Sequence, residues 1–202
     1  EDEAERCFAE TYPSIYAHLK PFEERLRARQ DKGEYWWELR ACDYYDEFEK
    51  PKVVVQCIAY YSQFAFDDEG HYVNNKAIVI PTEDLYILAI LNSRITWWIV
   101  NRVFQHMKDD GLSVDVQFLR TLPVPAASEE LREEIARQAK RLISARRSGA
   151  DSDFMNALEL ALNGLVNRAF ELTDSEEQLL VSSLPPRDPL NEGRGDHKGR
   201  PS

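Results

Sequence analysis

The stretch Leu85-Tyr86-Ile87-Leu88-Ala89-Ile90-Leu91-Asn92-Ser93-Arg94 most limits how this chain can fold. Leu85, Leu88, Ala89, Leu91 and Ile95 recur at helical spacing, which predicts a helix that buries one face. Asn92-Ser93 reads as a break, and Trp97, Trp98, Ile99, Val103 and Phe104 carry the apolar pattern onward. Two runs precede the helix: Val53-Val54-Val55, β-branched and without clean alternation, and Ala77-Ile78-Val79-Ile80. Both predict strands, the first buried on both faces. Leu122-Pro123-Val124-Pro125 closes the unit, because proline neither continues a helix nor sits in a central strand. Strands and helices in this order predict an α/β (α+β) fold: a small mixed sheet with flanking helices and a helical C-terminal appendage.

Around that core the chain divides by texture. Residues 1–50 form a helical and aromatic lead-in, 51–125 the core, 126–184 a helical appendage, and 185–202 a Pro- and Gly-rich tail expected to be disordered. In the lead-in, Pro13 and Pro21 suit helix starts, Trp36 and Trp37 open a short aromatic segment, and residues 43–50 read as a loop. Phe64-Ala65-Phe66, the turn Asp67-Asp68-Glu69-Gly70 and His71-Tyr72-Val73 together read as a β-hairpin. Asn74-Asn75-Lys76 is a polar turn, Thr82 the expected N-cap, and Asp109-Asp110-Gly111 a further turn. Beyond Pro125, Ser128, the loop ending at Asp151, and Thr173 precede three helical patterns.

Charge and cysteine usage remove several functions. The formal net charge of -11 argues against a protein that coats DNA through sheer basicity. Residues 51–122 are nearly balanced, with 6 basic and 8 acidic side chains, against 8 and 14 in residues 1–50. A phosphate-contacting surface is therefore expected in the middle rather than in the lead-in. Cys7, Cys42 and Cys57 are unpaired in sequence and lack histidines at ligand spacing, so neither a disulfide framework nor a zinc site is expected. No apolar run has membrane-spanning length, and no signal peptide is evident. A cytoplasmic protein of a bacterium or archaeon is the expectation. The chain begins at Glu1 and is expected to be a piece of something longer.

The sequence also lacks the constellations that would make it a catalyst. Amino-group DNA methylation needs a cofactor-binding glycine turn and a polar residue before Pro-Pro-aromatic. The only Pro-Pro is in Leu184-Pro185-Pro186-Arg187, and the 8 glycines form no array. Asp67-Asp68-Glu69 has no neighbouring lysine of the kind a Mg²⁺ nuclease edge requires. His18, His71, His106 and His197 are too scattered to nominate a nucleophile and its base.

Read together, several blocks resemble one known module. They are Tyr12-Pro13-Ser14-Ile15 through Arg29, Trp36-Trp37-Glu38-Leu39-Arg40, Lys50-Pro51-Lys52-Val53-Val54, and Phe66-Asp67 with Gly70 and Tyr72. Leu88-Ala89-Ile90-Leu91-Asn92-Ser93-Arg94 is the most diagnostic, followed by Leu119-Arg120-Thr121-Leu122-Pro123-Val124-Pro125 and the closing 165–177 block. In order and spacing they resemble the TaqI-like C-terminal specificity domain, the target recognition domain of type IIG restriction-modification enzymes and related phage-defence adenine-specific DNA methyltransferases. The resemblance implies a parent that uses S-adenosyl-L-methionine to methylate adenine N6 at a specific site, flipping the base out of the duplex. It implies double-stranded DNA and an N-terminal methyltransferase domain as partners, no membrane, and no cofactor in this fragment itself. A parent that also cuts DNA would add a nuclease domain and Mg²⁺.

Base-reading positions vary with target sequence in such a family, so candidates rest on chemistry alone. Basic and amide residues near loops of the middle unit are Lys52, Asn74, Asn75, Lys76, Arg94, Arg102, His106, Lys108 and Arg120. Arg suits guanine and Asn suits adenine, while Lys holds phosphates and sets register. Arg137, Lys140, Arg141, Arg146 and Arg147 are explained by an amphipathic helix face. The alternative function is a protein-interaction module that docks a partner subunit of a phage-defence complex.

Overall fold

The computed structural model describes residues 1–41, 44–108 and 111–185. Cys42, the turn expected at Asp109-Asp110, His197 and nearly all of the tail expected from Pro185 onward lie outside the described residues. The chain divides into two compact units, Glu1–Asp46 and Glu47–Ser202.

The first unit is helical. It contains α1 (Asp2–Thr11), α2 (Pro13–Leu19), a 3-10 turn at Lys20–Phe22 and α3 (Glu23–Arg27). Pro13 stands in the first turn of α2, where its missing N–H costs nothing. Glu5 organises the interior: its carboxylate accepts from Tyr16 Oη at 2.9 Å, Lys20 Nζ at 2.5 Å and Trp36 Nε1 at 3.3 Å. Trp36 is fully buried, and Trp37 stacks between Phe8 (5.1 Å) and Tyr35 (4.9 Å). The segment holding these tryptophans is a turn. Both rings are engaged in packing.

The second unit begins within α4 (Tyr45–Glu49), a helix in the segment expected to be a loop. The strands β1 (Lys52–Gln56), β3 (Ala65–Asp67) and β4 (Ala77–Ile80) form one sheet in the order β3-β1-β4. A second sheet, β2-β6-β5, joins β2 (Ile58–Ala59), β6 (Leu112–Ser113) and β5 (Gln105–His106). All pairings are antiparallel, so the fold is α+β with small antiparallel sheets. The helices are α5 (Leu85–Leu91), α6 (Arg94–Val103), α7 (Val116–Leu119), α8 (Glu129–Arg147), α9 (Ser152–Ala169) and α10 (Asp174–Ser182).

α5 departs from the one-faced burial its spacing predicts. Leu88 and Leu91 pack into the core built by Val53, Val55, Trp97 and Leu112. Tyr86, Ala89 and Ile90 pack into a second core with Ile135, Ala139, Leu162 and Val166 of α8 and α9. A helix that is apolar all round must be covered on both sides. Asp84, not Thr82, caps it, accepting from Tyr86 N at 2.8 Å, while Thr82 Oγ1 accepts from Asp84 N. The same Asp84 pairs with Arg132 of α8 at 2.9 Å, and Tyr86 Oη donates to the Pro125 carbonyl at 2.7 Å. These contacts latch the long helix onto the short one.

The predicted hairpin does not form. β3 pairs with β1, and residues 71–73 are not a strand. The reason is the Asp67 carboxylate, which accepts from Glu69 N and His71 N at 3.0 Å each and thereby curls the chain. Gly70 supplies the left-handed conformation that this curl needs, at φ 76. Asp67 also stands directly opposite Lys52, whose Nζ lies 2.5 Å from Asp67 Oδ2 and 2.6 Å from the Phe48 carbonyl. Lys52 is 0% exposed. Burial pushes the Asp67 carboxyl up, but Lys52, His71 and the Glu69 N–H together outweigh it and hold it well below its usual range. His71 is pushed up by its bond to Asp67.

Both long helices end in a left-handed residue. Gly149 (φ 69) follows α8, with Ala150 N bonded to Ala145 O and Gly149 N to Arg146 O. Glu171 (φ 56) takes the same position after α9, where Leu172 N meets Asn167 O. A side chain there carries a cost that glycine does not. Glu171→Gly is therefore expected to stabilise the protein by about 1 kcal/mol in chemical denaturation.

Asp67→Asn strands a buried ammonium and should cost roughly 3–5 kcal/mol by the same measurement. The sign of the pH effect follows from the shifts. The Asp67 contribution is full above its ordinary value of 3.8 and is lost as pH falls below it, and the His71 contribution is full below 6.5 and lost as pH rises through its raised value. Asp67→Asn should flatten the acid limb of the stability profile.

Candidate nucleic-acid interface

One residue, Cys57, joins the two sheets. Its N–H donates to the Lys76 carbonyl at 2.8 Å, prolonging the β1-β4 ladder, and its carbonyl accepts from Val114 N at 2.9 Å, beside β6. Its Sγ reaches the Asn75 carbonyl at 3.7 Å. The polar turn Asn74-Asn75-Lys76 is thereby held against β2 and the second sheet. Within the turn, Asn74 Oδ1 accepts from Lys76 N at 2.9 Å, a side chain standing in for a backbone turn acceptor. All three turn residues are exposed.

Register then decides what the second sheet presents. Ile58 pairs with Ser113, and Ser113 pairs with Gln105, so these three stand side by side and project from one face. Ile58 is 44% exposed and Gln105 is exposed. The neighbouring row turns the other way, with Ala59 and Leu112 in the core. His106, at the edge of that row, is exposed, and its Nε2 donates to the Asn101 carbonyl at 2.7 Å. Met107 N closes the hairpin by donating to Gly111 O at 2.7 Å, and exposed Lys108 follows. Gly111 permits close approach: a Cβ there would stand 3.0 Å from Ile58 Cγ2 and 3.5 Å from the Tyr60 ring.

The nine candidates read from the sequence separate into groups. Asn74, Asn75 and Lys76 stand beside Cys57, the residue just before β2, while His106 ends β5 and Lys108 follows in its hairpin loop. Arg120 is exposed at the end of α7, a helix anchored by Phe118 against Phe104, at a ring distance of 5.8 Å, just before β5. Lys52 does not belong: it is fully buried and committed to Asp67, so it is an interior structural residue rather than a DNA contact. Arg102 packs its guanidinium 3.7 Å from the Trp98 ring centroid and donates to the Trp98 and Ser183 carbonyls, against the end of α10.

Arg94 stands elsewhere, half-buried on a cleft of about 590 Å³ between residues 61–66, α5 and the α8–α9 pair. Its backbone N–H donates to Asn163 Oδ1 at 2.8 Å. The surrounding motif is a junction. Asn92 clamps Phe64 from both sides, accepting from its N–H at 3.0 Å and donating to its carbonyl at 2.8 Å. Ser93 caps α6 through Thr96 N and donates to Ile90 O at 2.7 Å.

Sequence reasoning missed Ile58, Ser113 and Gln105. Ile58 lies beyond the Val53-Val54-Val55 run that marks the strand, and the three are spread between positions 58 and 113 and joined only by register. The alternation of buried Phe104 with exposed Gln105 was the available signal.

A family model described as the TaqI-like C-terminal specificity domain matches residues 10–124. Among solved structures, the chain is similar to the type IIL restriction-modification enzyme MmeI, determined in complex with DNA. The TM-score is 0.61 at 13% identity, covering 84% of this chain and 25% of that one. That likeness is one of fold, and this chain spans a quarter of the length of that enzyme's chain. No curated protein matches significantly. The close approach at Gly111 gives a test of the sheet: Gly111→Val should destabilise by roughly 1–3 kcal/mol, read as a lowered melting temperature, through displacement of β2.

Proposed function

This chain belongs to the TaqI-like C-terminal specificity domain family, and on that premise we propose that it recognises the DNA target of a restriction-modification enzyme. The observation that carries the reading is the exposed rim of the second sheet, where Lys76 and Lys108 flank amides and a hydroxyl on a rigid, register-fixed surface. Such a rim combines cations for phosphates with groups that pair with base edges. A net charge of -11 is compatible with it because single Lys contacts act locally, even with Asp109 and Asp110 next to Lys108 in the sequence.

The finer reading is an adenine-N6 methyltransferase of type IIG kind, active in phage defence, whose catalytic domain precedes this one. In that arrangement the domain grips the duplex while the target base swings out into the catalytic pocket. S-adenosylmethionine, and Mg²⁺ in a parent that cuts DNA, would be held by that other part. The present sequence has no glycine array to cradle the cofactor, and no group of three or more His, Cys, Asp or Glu among the described residues could hold a metal. No helix among the described residues is long and apolar enough to cross a membrane. The docking-module alternative leans on an acidic surface and exposed aromatics: Trp36 and Trp37 are taken up by Glu5, Phe8 and Tyr35, whereas Tyr12, Phe22 and Phe154 stay exposed.

The test is selection of bound duplexes from a random library by the full-length protein. One enriched motif is expected, with affinity that falls steeply with salt. Lys76→Ala should weaken binding to all sequences alike and lower the salt slope by about one unit. Methylating activity without any enriched motif would remove the recognition role.

A further inference from the structure

We infer that the outward row Ile58–Ser113–Gln105 enters the major groove and reads A·T pairs, with Gln105 on an adenine and Ile58 against a thymine methyl group. The inference rests on the DNA-recognition reading above and names the chemistry by which that surface would choose its sequence.

Shape comes first. Neighbouring strands lie about 4.8 Å apart, so the outer strands of this sheet are separated by roughly 10 Å, within the ~12 Å width of a major groove. Each strand of the second sheet is two residues long, which makes the patch a blunt tip rather than a broad face. Lys76, tied by its carbonyl to Cys57, lies at the Ile58–Gln105 end of the sheet, and Lys108 lies in the loop joining β5 to β6 at the opposite end of the strands. Cations at the two strand ends would contact phosphates and set the register of the row between them.

Side-chain chemistry then selects the base. The Gln105 carboxamide is exposed and makes no hydrogen bond to another described residue. A carboxamide can donate to adenine N7 and accept from adenine N6, both at once. Guanine offers two acceptors at the same edge, so the amide oxygen would face O6 and be repelled. Ile58 is a branched apolar side chain, 44% exposed on the same row, although its strand neighbour Ala59 is buried. It has nothing to offer a cytosine amino group, which would lose its water on contact, whereas it can cover the C5-methyl of thymine. Ser113 between them accepts or donates and is tolerant.

The experiment uses the full-length protein and two exposed variants, Gln105→Ala and Ile58→Ala, each checked for an unchanged melting temperature. The selected motif should contain an A·T pair at which Gln105→Ala loses roughly tenfold or more of the wild-type preference, with other positions unaltered. Replacing thymines of the selected site by uracil, which removes only the methyl group, should weaken wild type by about fourfold, the worth of one buried methyl. Ile58→Ala should be indifferent to that replacement. A clear motif whose preferences survive Gln105→Ala, or equal uracil effects in wild type and Ile58→Ala, would overturn the inference and leave the recognition role standing. Failure to enrich any motif would overturn both.

Discussion

A helix with no polar face sets the terms for the second unit. α5 is seven residues long, and every side chain in it is apolar or aromatic. A helix of that length is marginal alone and offers nothing to water, so it persists only when covered on both sides. β1, α6 and the second sheet cover one side through Leu88 and Leu91, and α8 and α9 cover the other through Ala89 and Ile90. Each fully buried Leu or Ile contributes roughly 1.5–3 kcal/mol. The C-terminal helices are thereby part of the same packed body as the sheets.

Polar contacts then fix what hydrophobic packing leaves loose. Apolar surfaces slide, whereas a buried ammonium accepts one partner. Lys52 opposite Asp67 allows β1 and β3 a single register, since a one-residue slip would bury the charge unpaired. Asn92 does the equivalent for the helices, holding both backbone groups of Phe64 as a strand would. Cys57 passes the order of the first sheet to the second. The outward row of Ile58, Ser113 and Gln105 is the last consequence of that chain of constraints.

The family resemblance and the structure meet at these positions. Lys52, Asp67, Asn92 and Ser93, which stand in the motifs that carry the resemblance, are residues whose side chains close the interior. Residues that hold a fold together recur in sequence because alternatives unfold it, and residues that read different targets need not. The most recognisable blocks are therefore poor guides to the reading surface. Lys52 illustrates the hazard: as a lysine near a loop it suggested phosphate, yet it is wholly enclosed.

The sequence alone determined the elements whose signal is local. β1 and β4 follow from β-branched runs, and α8, α9 and α10 from apolar periodicity, with Ser128 and Thr173 marking the starts of α8 and α10. It also determined the break at Asn92-Ser93 and the family to which the chain belongs. Only the tertiary structure decided the pairing of β3 with β1, the double burial of α5 and the enclosure of Lys52. It alone brought residues 58, 105 and 113 into one row. Local patterns reflect short-range sterics and solvent preference, whereas register is a contact between residues far apart in the chain, settled when a buried charge finds its partner.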